Sequence, residues 1–503
     1  MSCFRKFFVL LLLMFFPVTL LSSCNEKDTV YELNFMVDGE IYETIETLGC
    51  EEIILPEDPE KDGYVFDGWY ADEEYEEPFL KDSLIDVILI CDVNIYSKWI
   101  PNANQIIFNG NGATSGEMSN QIINSGEIAS LNENKFEKDL YDFVGWSTIQ
   151  NGEVEYLDCD LYTMGTNSTY ILYAVWEERI KFVSSVEDLK SIDNDLKNGI
   201  EYSKYVLKND IAIEGEWNSI AIENCFDGCF DGCGYTITNK SINLNNGLFY
   251  CNEGVIKNLI IKNEISVIKS GEVRFGAVVY HNDGVVMNCK STGSISIEST
   301  DSDTAVGGIV GKNTGTVNNC YTTADISITA PKTSRVGGIV GQNNNLVMNC
   351  FSTGDVYSRV KNTNVSIASN CVSGVVGLMV EGSTIKGVFS TGSINASLSM
   401  GTSYANNYIH SVVGEYLGSC IREKCCGHID QILRGYSGTD AYCPINNDRD
   451  VNRVIMSNYT LNDYEYMGFS EFISEDDLTN NENNVWILSE NLLPTLYFES
   501  SEL

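Results

Sequence analysis

The residues best able to do chemistry are cysteines, 17 of them, beside only three histidines. Cys225, Cys229 and Cys233 stand at four-residue spacing in a glycine-rich stretch, with FDGCFDGCG over 226–234. In extended chain such neighbours lie about 13 Å apart, too far for a disulfide, although glycine turns bring them closer. A metal or redox site and plain structural thiols are both open there. Cys420, Cys425, Cys426 and His428, with Cys443 nearby, form the one Cys/His cluster. The residue types suit zinc but the spacing matches no zinc pattern, so metal and a local disulfide both stay open. Cys289, Cys320 and Cys350 recur at one position of an internal repeat whose weaker copies carry Leu259 and Val388 there. A slot that accepts Cys, Leu and Val is small, apolar and interior, so stacked buried thiols are expected there rather than a disulfide or metal ligands. The same comparison demotes His281, which aligns with Lys312 and Gln342 at a turn.

Other chemistry is thin. Neither HExxH nor GxSxG occurs, and there is no phosphate-binding loop, so no catalytic residue, cofactor or metal is expected. The pairs Asp301-Ser-Asp303 and Asp448-Arg-Asp450 are too short for a calcium loop. With 71 acidic against 31 basic residues the formal charge is −40. Such a chain has no electrostatic route to phosphate backbones, and nucleic-acid binding is excluded. After Cys3 and Cys24 are set aside, 15 cysteines remain, an odd number, so at least one thiol stays free in a monomer. That suits reducing or anaerobic surroundings better than an oxidised scaffold.

The N-terminus decides the compartment. Arg5 and Lys6 precede an apolar run from Phe7 to Leu21, too short for a membrane span and right for an export signal. The sequence Leu21-Ser22-Ser23-Cys24 resembles the bacterial lipobox, which implies cleavage after residue 23 and acylation of Cys24. Two or more acyl chains on that residue would anchor the protein stably where one would be marginal. Residues 24–30 then form a tether. Removal of 1–23 leaves −42, of which −18 lies in residues 25–100 and −10 in 101–178. Two thirds of the charge therefore sits nearest the membrane, as expected of a self-repelling stalk that projects outward.

Residues 31–100 and 101–178 read as two copies of one β module. YELNFMVDG (31–39), GYVFDGWY (63–70) and NIYSKW (94–99) correspond to QIIFNGNG (105–112), YDFVGWST (141–148) and YILYAVW (170–176). Each copy has an alternating strand, an aromatic-Gly-Trp centre and an aromatic closing strand. Trp69, Trp99, Trp146 and Trp176 are expected in the cores of these small modules rather than on a sugar-stacking platform. The two segments resemble the Listeria–Bacteroides repeat, the internalin-type B repeat. That resemblance implies a β-grasp-like fold and a surface spacer or adhesive module without catalytic residues. The second copy departs from the pattern at Leu140-Tyr141, where Gly-Tyr is usual.

The rest of the chain repeats with a period near 30. A helix over 185–199, capped by Ser184 or Ser185, opens an entry segment (179–265). FGAVVYHNDGVVMNCKSTGSISI (275–297), VGGIVGKNTGTVNNCYTTADISI (306–328) and VGGIVGQNNNLVMNCFSTGDVYS (336–358) then follow at shifts of 31 and 30. Short β-branched runs punctuated by Gly and Asn signal a β-solenoid over 266–435. Gly is expected at its corners to supply positive φ, and Asn to ladder between neighbouring turns. Residues 436–503 are expected to cap it, with Trp217 and Trp486 as anchors at the two ends. The region resembles the GLUG-repeat family, whose members include IgA-cleaving metallopeptidases. In that family GLUG units are non-catalytic, so the resemblance implies a right-handed parallel β-helix and no site residues.

The fold class expected is thus all-β: two small β-grasp-like modules, then a β-helix with a C-terminal cap. The function expected is that of an exported, lipid-anchored adhesin at the cell surface, binding a glycan or protein of a host or neighbouring cell. The rivals are a polysaccharide lyase or hydrolase on the β-helix and a purely structural envelope spacer. A cluster of Asp, Lys and Arg on one face would favour cleavage, whereas the rung faces read mainly as Ser, Thr and Asn.

Overall fold

The computed structural model describes residues 29–49, 51–84, 89, 91–241, 246–362, 367–400, 404–428, 433–437, 452–454, 486–488 and 493–499. Cys24 and Cys443 lie outside them. The chain divides into two compact units that part between Glu177 and Glu178.

The first unit holds the same sheet twice. Strands β1 (Tyr31–Val37), β2 (Glu40–Thr47), β3 (Tyr64–Tyr70) and β4 (Val93–Pro101) form a sheet in the order β2-β1-β4-β3. β5 (Ala103–Asn109), β6 (Gln121–Asn124), β8 (Tyr141–Ser147) and β10 (Thr169–Glu178) repeat it as β6-β5-β10-β8. A small pair, β7 (Ile128–Ser130) with β9 (Leu161–Thr163), completes the second copy. In both, the central pair is parallel and its outer neighbour antiparallel, the β-grasp order. The connection from β2 to β3 is extended rather than helical among the described residues.

The Gly-Trp element shapes each core. At Gly68 the register with β4 slips, and Gly68 and Gly145 take φ of 117° and 151°. A Cβ on Gly145 would stand 2.5 Å from the Tyr156 carbonyl oxygen, so only glycine fits. The slip turns Trp69 and Trp146 inward, against Phe35 and Phe66 in one copy and Phe108 and Phe143 in the other. Trp99 and Trp176 are half-buried and pack edge-on against the same Phe66 and Phe143. Their indole N–H groups donate to Ser97 Oγ and the Gly110 carbonyl, each at 2.9 Å. Trp69 and Trp146 are thus enclosed, whereas Trp99 and Trp176 stay partly exposed.

The second unit is a parallel β-solenoid. β11 (Ile180–Val183) leads into helix α1 (Val186–Asn198), whose buried Leu189 and Ile192 join the solenoid core at its start. Ser185 is the N-cap, its Oγ accepting from the Asp188 N–H at 3.1 Å, and Gly199 closes the helix at φ 64°. One rung turns through four strands, Val273–Gly276, Val279–Asn282, Val285–Met287 and Lys290–Ser299, and in the next the last of these is split into Tyr321–Thr322 and Asp325–Ala330. Register steps of 31 and 30 residues (Val279 to Val310 to Val340) match the repeat period. They lengthen to 36 and 37 at Val376 and Val413.

Three buried columns hold the stack, two inside the rungs and one, aromatic, on the flank beneath the C-terminal segment. Asn252, Asn282, Asn313 and Asn343 are fully buried and form the expected ladder, each Nδ2 donating to the next Oδ1 at 2.8, 2.9 and 2.8 Å. Tyr321, Phe351 and Phe389 stack with ring centroids 4.7 Å apart. Cys289, Cys320 and Cys350 form the third, each backbone N–H meeting the next sulfur at 3.4 Å.

The corners depart from expectation. Positive φ at the recurrent corner is supplied by Asn258, Asn288, Asn319 and Asn349 (φ 49–53°), then by Gly387 and Lys424. Asn tolerates this region better than other non-glycine residues because its short amide bonds locally. The glycines of the GGIVG element serve close approach instead: a Cβ on Gly307 would lie 2.0 Å from the Val310 carbonyl oxygen.

Trp486 is also not at an end. It packs in mid-solenoid against Tyr321 and Phe351, and donates from Nε1 to Asn319 Oδ1 at 3.2 Å. Further along the same segment, Glu499 binds Lys290 and the Tyr321 hydroxyl. The described part of the C-terminal segment therefore runs along the flank of the rungs, where the aromatic column presents its edge.

Candidate functional site

The cysteine column is structural. Cys289, Cys320 and Cys350 share their slot with Leu259, Val388 and a further member, Cys425, which follows Val388 by one rung. Burial holds the Cys289 and Cys320 thiols far above the ordinary thiol range and pushes Cys425 up to about 12. The C-terminal cluster does not assemble among the described residues. Cys425 points into this column, Cys426 continues the Phe351–Phe389 column, and Cys420 lies beside the Ser383 hydroxyl and the Val380 carbonyl. Three neighbours in sequence thus occupy three columns.

Cys225, Cys229 and Cys233 also separate. Cys225 is joined in a disulfide to Cys251, with Cα atoms 4.7 Å apart, while Cys229 is half-buried and Cys233 exposed. Burial, with Asp231 beside it, pushes the Cys233 thiol up to about 11, so it is a poor nucleophile. Phe226 bridges Asn252 in parallel, which puts Cys225 and Cys251 side by side on adjacent rungs. Spacing along the chain misses this pair. Extending the rung alignment back by one turn is the signal that finds it.

Side chains of unlike charge gather around one recess of the solenoid. Arg274, Ala305 and Arg335 are register partners on three successive rungs. Two rung spacings separate the arginines by about 9.6 Å, and the small Ala305 between them leaves a gap. Thr304, Lys312 and Gln342 from the neighbouring column, and Glu272 and Asp303 also line it. The recess measures about 80 Å³, room for one carboxylate or sulfate group.

Its charges are unequally satisfied. Arg274 is paired with Glu272 and donates to the Tyr280 hydroxyl at 2.6 Å. Asp303 accepts from the Thr333 backbone N–H at 3.0 Å. The Nε of Arg335 is buried and has no hydrogen-bond partner among the described residues. A buried donor without an acceptor costs about 1–3 kcal/mol. Reading the rungs as mainly Ser, Thr and Asn missed this cluster. The repeat alignment begins at Phe275, Val306 and Val336, one residue after Arg274, Ala305 and Arg335.

Comparisons with known proteins follow the same division. Residues 31–98 and 105–175 match the model of the Listeria–Bacteroides repeat domain, and residues 333–357 match that of the GLUG motif, a single rung of the solenoid. A protein of Evansella cellulosilytica named "Putative membrane protein" is 30% identical over 155 residues, 30% of this chain and 22% of its own. A "Putative Gly-rich membrane protein" of the same organism is 30% identical over 129 residues, 24% of this chain and 15% of its own. The chain thus spans less than a quarter of the length of these curated relatives. A solved structure titled a putative immunoglobulin A1 protease from Bacteroides ovatus aligns with TM-score 0.41 and 17% identity, covering 63% of this chain and 92% of that one. No helix of the described residues is long and apolar enough to cross a membrane.

Proposed function

We propose that this chain is an exported surface protein, anchored through acylated Cys24, whose two repeat modules carry a β-helix that binds acidic glycans. The observation that carries the reading is the recess between Arg274 and Arg335, lined by three basic and two acidic side chains on a chain of charge −40. Its size suits a single uronate carboxylate or sulfate ester, and Arg274, Lys312 and Arg335 along its lining supply charged donors. The two module matches and the names of the relatives support a place at the cell surface.

The test is a titration of sulfated and uronate-bearing oligosaccharides. Arg335→Gln and Lys312→Gln are each expected to weaken binding about tenfold or more, since a lost charged hydrogen bond at a buried site is worth upward of 1.4 kcal/mol. Saturable binding should persist at about 0.5 M salt, where the Debye length is about 4 Å. Binding equal in the variants and the wild type would remove the recess from the account. Loss of all saturable binding at that salt would leave the structural spacer. The same cluster of Asp, Lys and Arg favours a second reading, cleavage of an acidic polysaccharide, which shortening of the bound oligosaccharide would establish. Anchoring is tested separately. Cys24→Ala should move the protein from the membrane to the soluble fraction, and undiminished membrane retention would reject acylation there.

A further inference from the structure

Beside the recess, a second column on the same turn gathers metal-ligating groups. Cys225, Cys251 and His281 lie on three successive rungs, Cys251 and His281 being register partners. Glu253 and Asp283 stand two residues further along the same turns. The ligand atoms of Cys251, His281 and Asp283 lie within 4.8 Å of one another, as do those of Cys225, Cys251 and Glu253, with Cys251 common to both sets. His281 Nε2 is 3.4 Å from Asp283 Oδ1 and 3.2 Å from the Thr314 hydroxyl. Cys251 is buried, but Asp283 and Glu253 face solvent, so an ion has a way in.

We propose that the reduced chain binds one zinc-type ion through Cys251, His281 and Asp283, with Cys225, whose sulfur is not grouped with His281 or Asp283 while it is disulfide-bonded, turning in to complete the set once freed, and that the Cys225–Cys251 disulfide and the metal are alternative occupants of one site. Two thiolates, an imidazole and a carboxylate make the donor set that zinc takes in four-coordinate sites. Imidazole is the commonest metal ligand among side chains, and the ring nitrogen of His281 stands beside the Asp283 carboxylate. Lys312, one rung on, and Arg274 oppose a cation there. The negative charges of two thiolates and Asp283 outweigh them.

The exchange balances. A dithiol reductant gives two electrons and two protons to the Cys225–Cys251 bond and leaves as its own disulfide. The two thiols then release their protons to solvent as the thiolates take the metal. The next rungs carry Lys312, Gln342 and Leu378 in the same column, so the site is confined to the start of the solenoid. This inference does not depend on the glycan reading.

The test uses the full chain in detergent, with cobalt as a spectroscopic stand-in and zinc as competitor. The reduced chain is expected to bind one cobalt ion with a thiolate-to-cobalt charge-transfer band, which one equivalent of zinc erases. The oxidised chain should show no band. Cys251→Ser should abolish it, and His281→Ala should weaken metal binding about tenfold or more. Because variants at buried positions can misfold, alkylation mapping of the wild type gives a second reading: zinc should protect Cys225 and Cys251 of the reduced chain and leave Cys233 reactive. Absence of a band in the reduced wild type, a band that survives Cys251→Ser, or equal alkylation of Cys225 with and without zinc would each overturn the proposal.

Discussion

Phe351→Ala is expected to lower the stability of the β-solenoid by about 3–5 kcal/mol, the range for emptying a buried phenylalanine site. Its ring lies between Tyr321 and Phe389 at 4.7 Å on either side and meets Trp486 at 5.7 Å. The loss therefore opens a cavity that touches two rungs and the C-terminal segment together. Stacked rungs contact only their neighbours, so a break in mid-array uncouples its two halves. Thermal or denaturant unfolding of the wild type and variant measures this, and Phe351→Leu should recover most of the loss. A change below about 1 kcal/mol would mean that the aromatic column does not hold the rungs.

Asn313→Asp is expected to cost a similar amount with almost no change in volume. Asn313 Nδ2 donates to Asn343 Oδ1 at 2.8 Å and to the carbonyls of Gly315 and Leu346 at 3.1 Å, all in the buried interior. The substitution puts an acceptor against three acceptors and brings a carboxylate into the core with no cation beside it, for which about 3–5 kcal/mol is typical. The pH dependence has a definite sign. Burial raises the pKa of the introduced carboxyl above its unfolded value of about 3.9. The penalty is then full at neutral pH and shrinks as pH falls through the raised pKa. Unfolding at pH 7 and pH 4.5 measures it. A penalty unchanged between the two would show that the side chain escapes to water and that the ladder is not continuous.

These two columns show what could be read from the chain. Repetition exposed the interior: a position that takes Leu, Cys, Cys, Cys and Val has to be apolar and enclosed, and Cys289, Cys320 and Cys350 are so placed. The Asn ladder followed from the same alignment. What escaped depends on relations between rungs rather than along them. The disulfide pairs Cys225 with Cys251, 26 residues away, because one turn of the entry segment is shorter than the later period. Corner φ went to Asn258, Asn288, Asn319 and Asn349 and not to glycine, because the glycines are needed where backbones nearly touch. Trp486 belongs to mid-solenoid because the Tyr321–Phe351 edge is the apolar surface left uncovered by the rungs. The recess escaped because Arg274 and Arg335 are 61 residues apart and converge only through the small Ala305 between them.

The most direct measurement presents the chain from residue 25 onward to matched pairs of acidic glycans and their desulfated or carboxyl-reduced counterparts. Retention and glycan length are read from the same wells. Saturable retention of the acidic member of a pair is expected, with its length unchanged, and little retention of the neutral one. Equal retention of both members, retention of neither, or acidic glycans recovered in shortened form would contradict it.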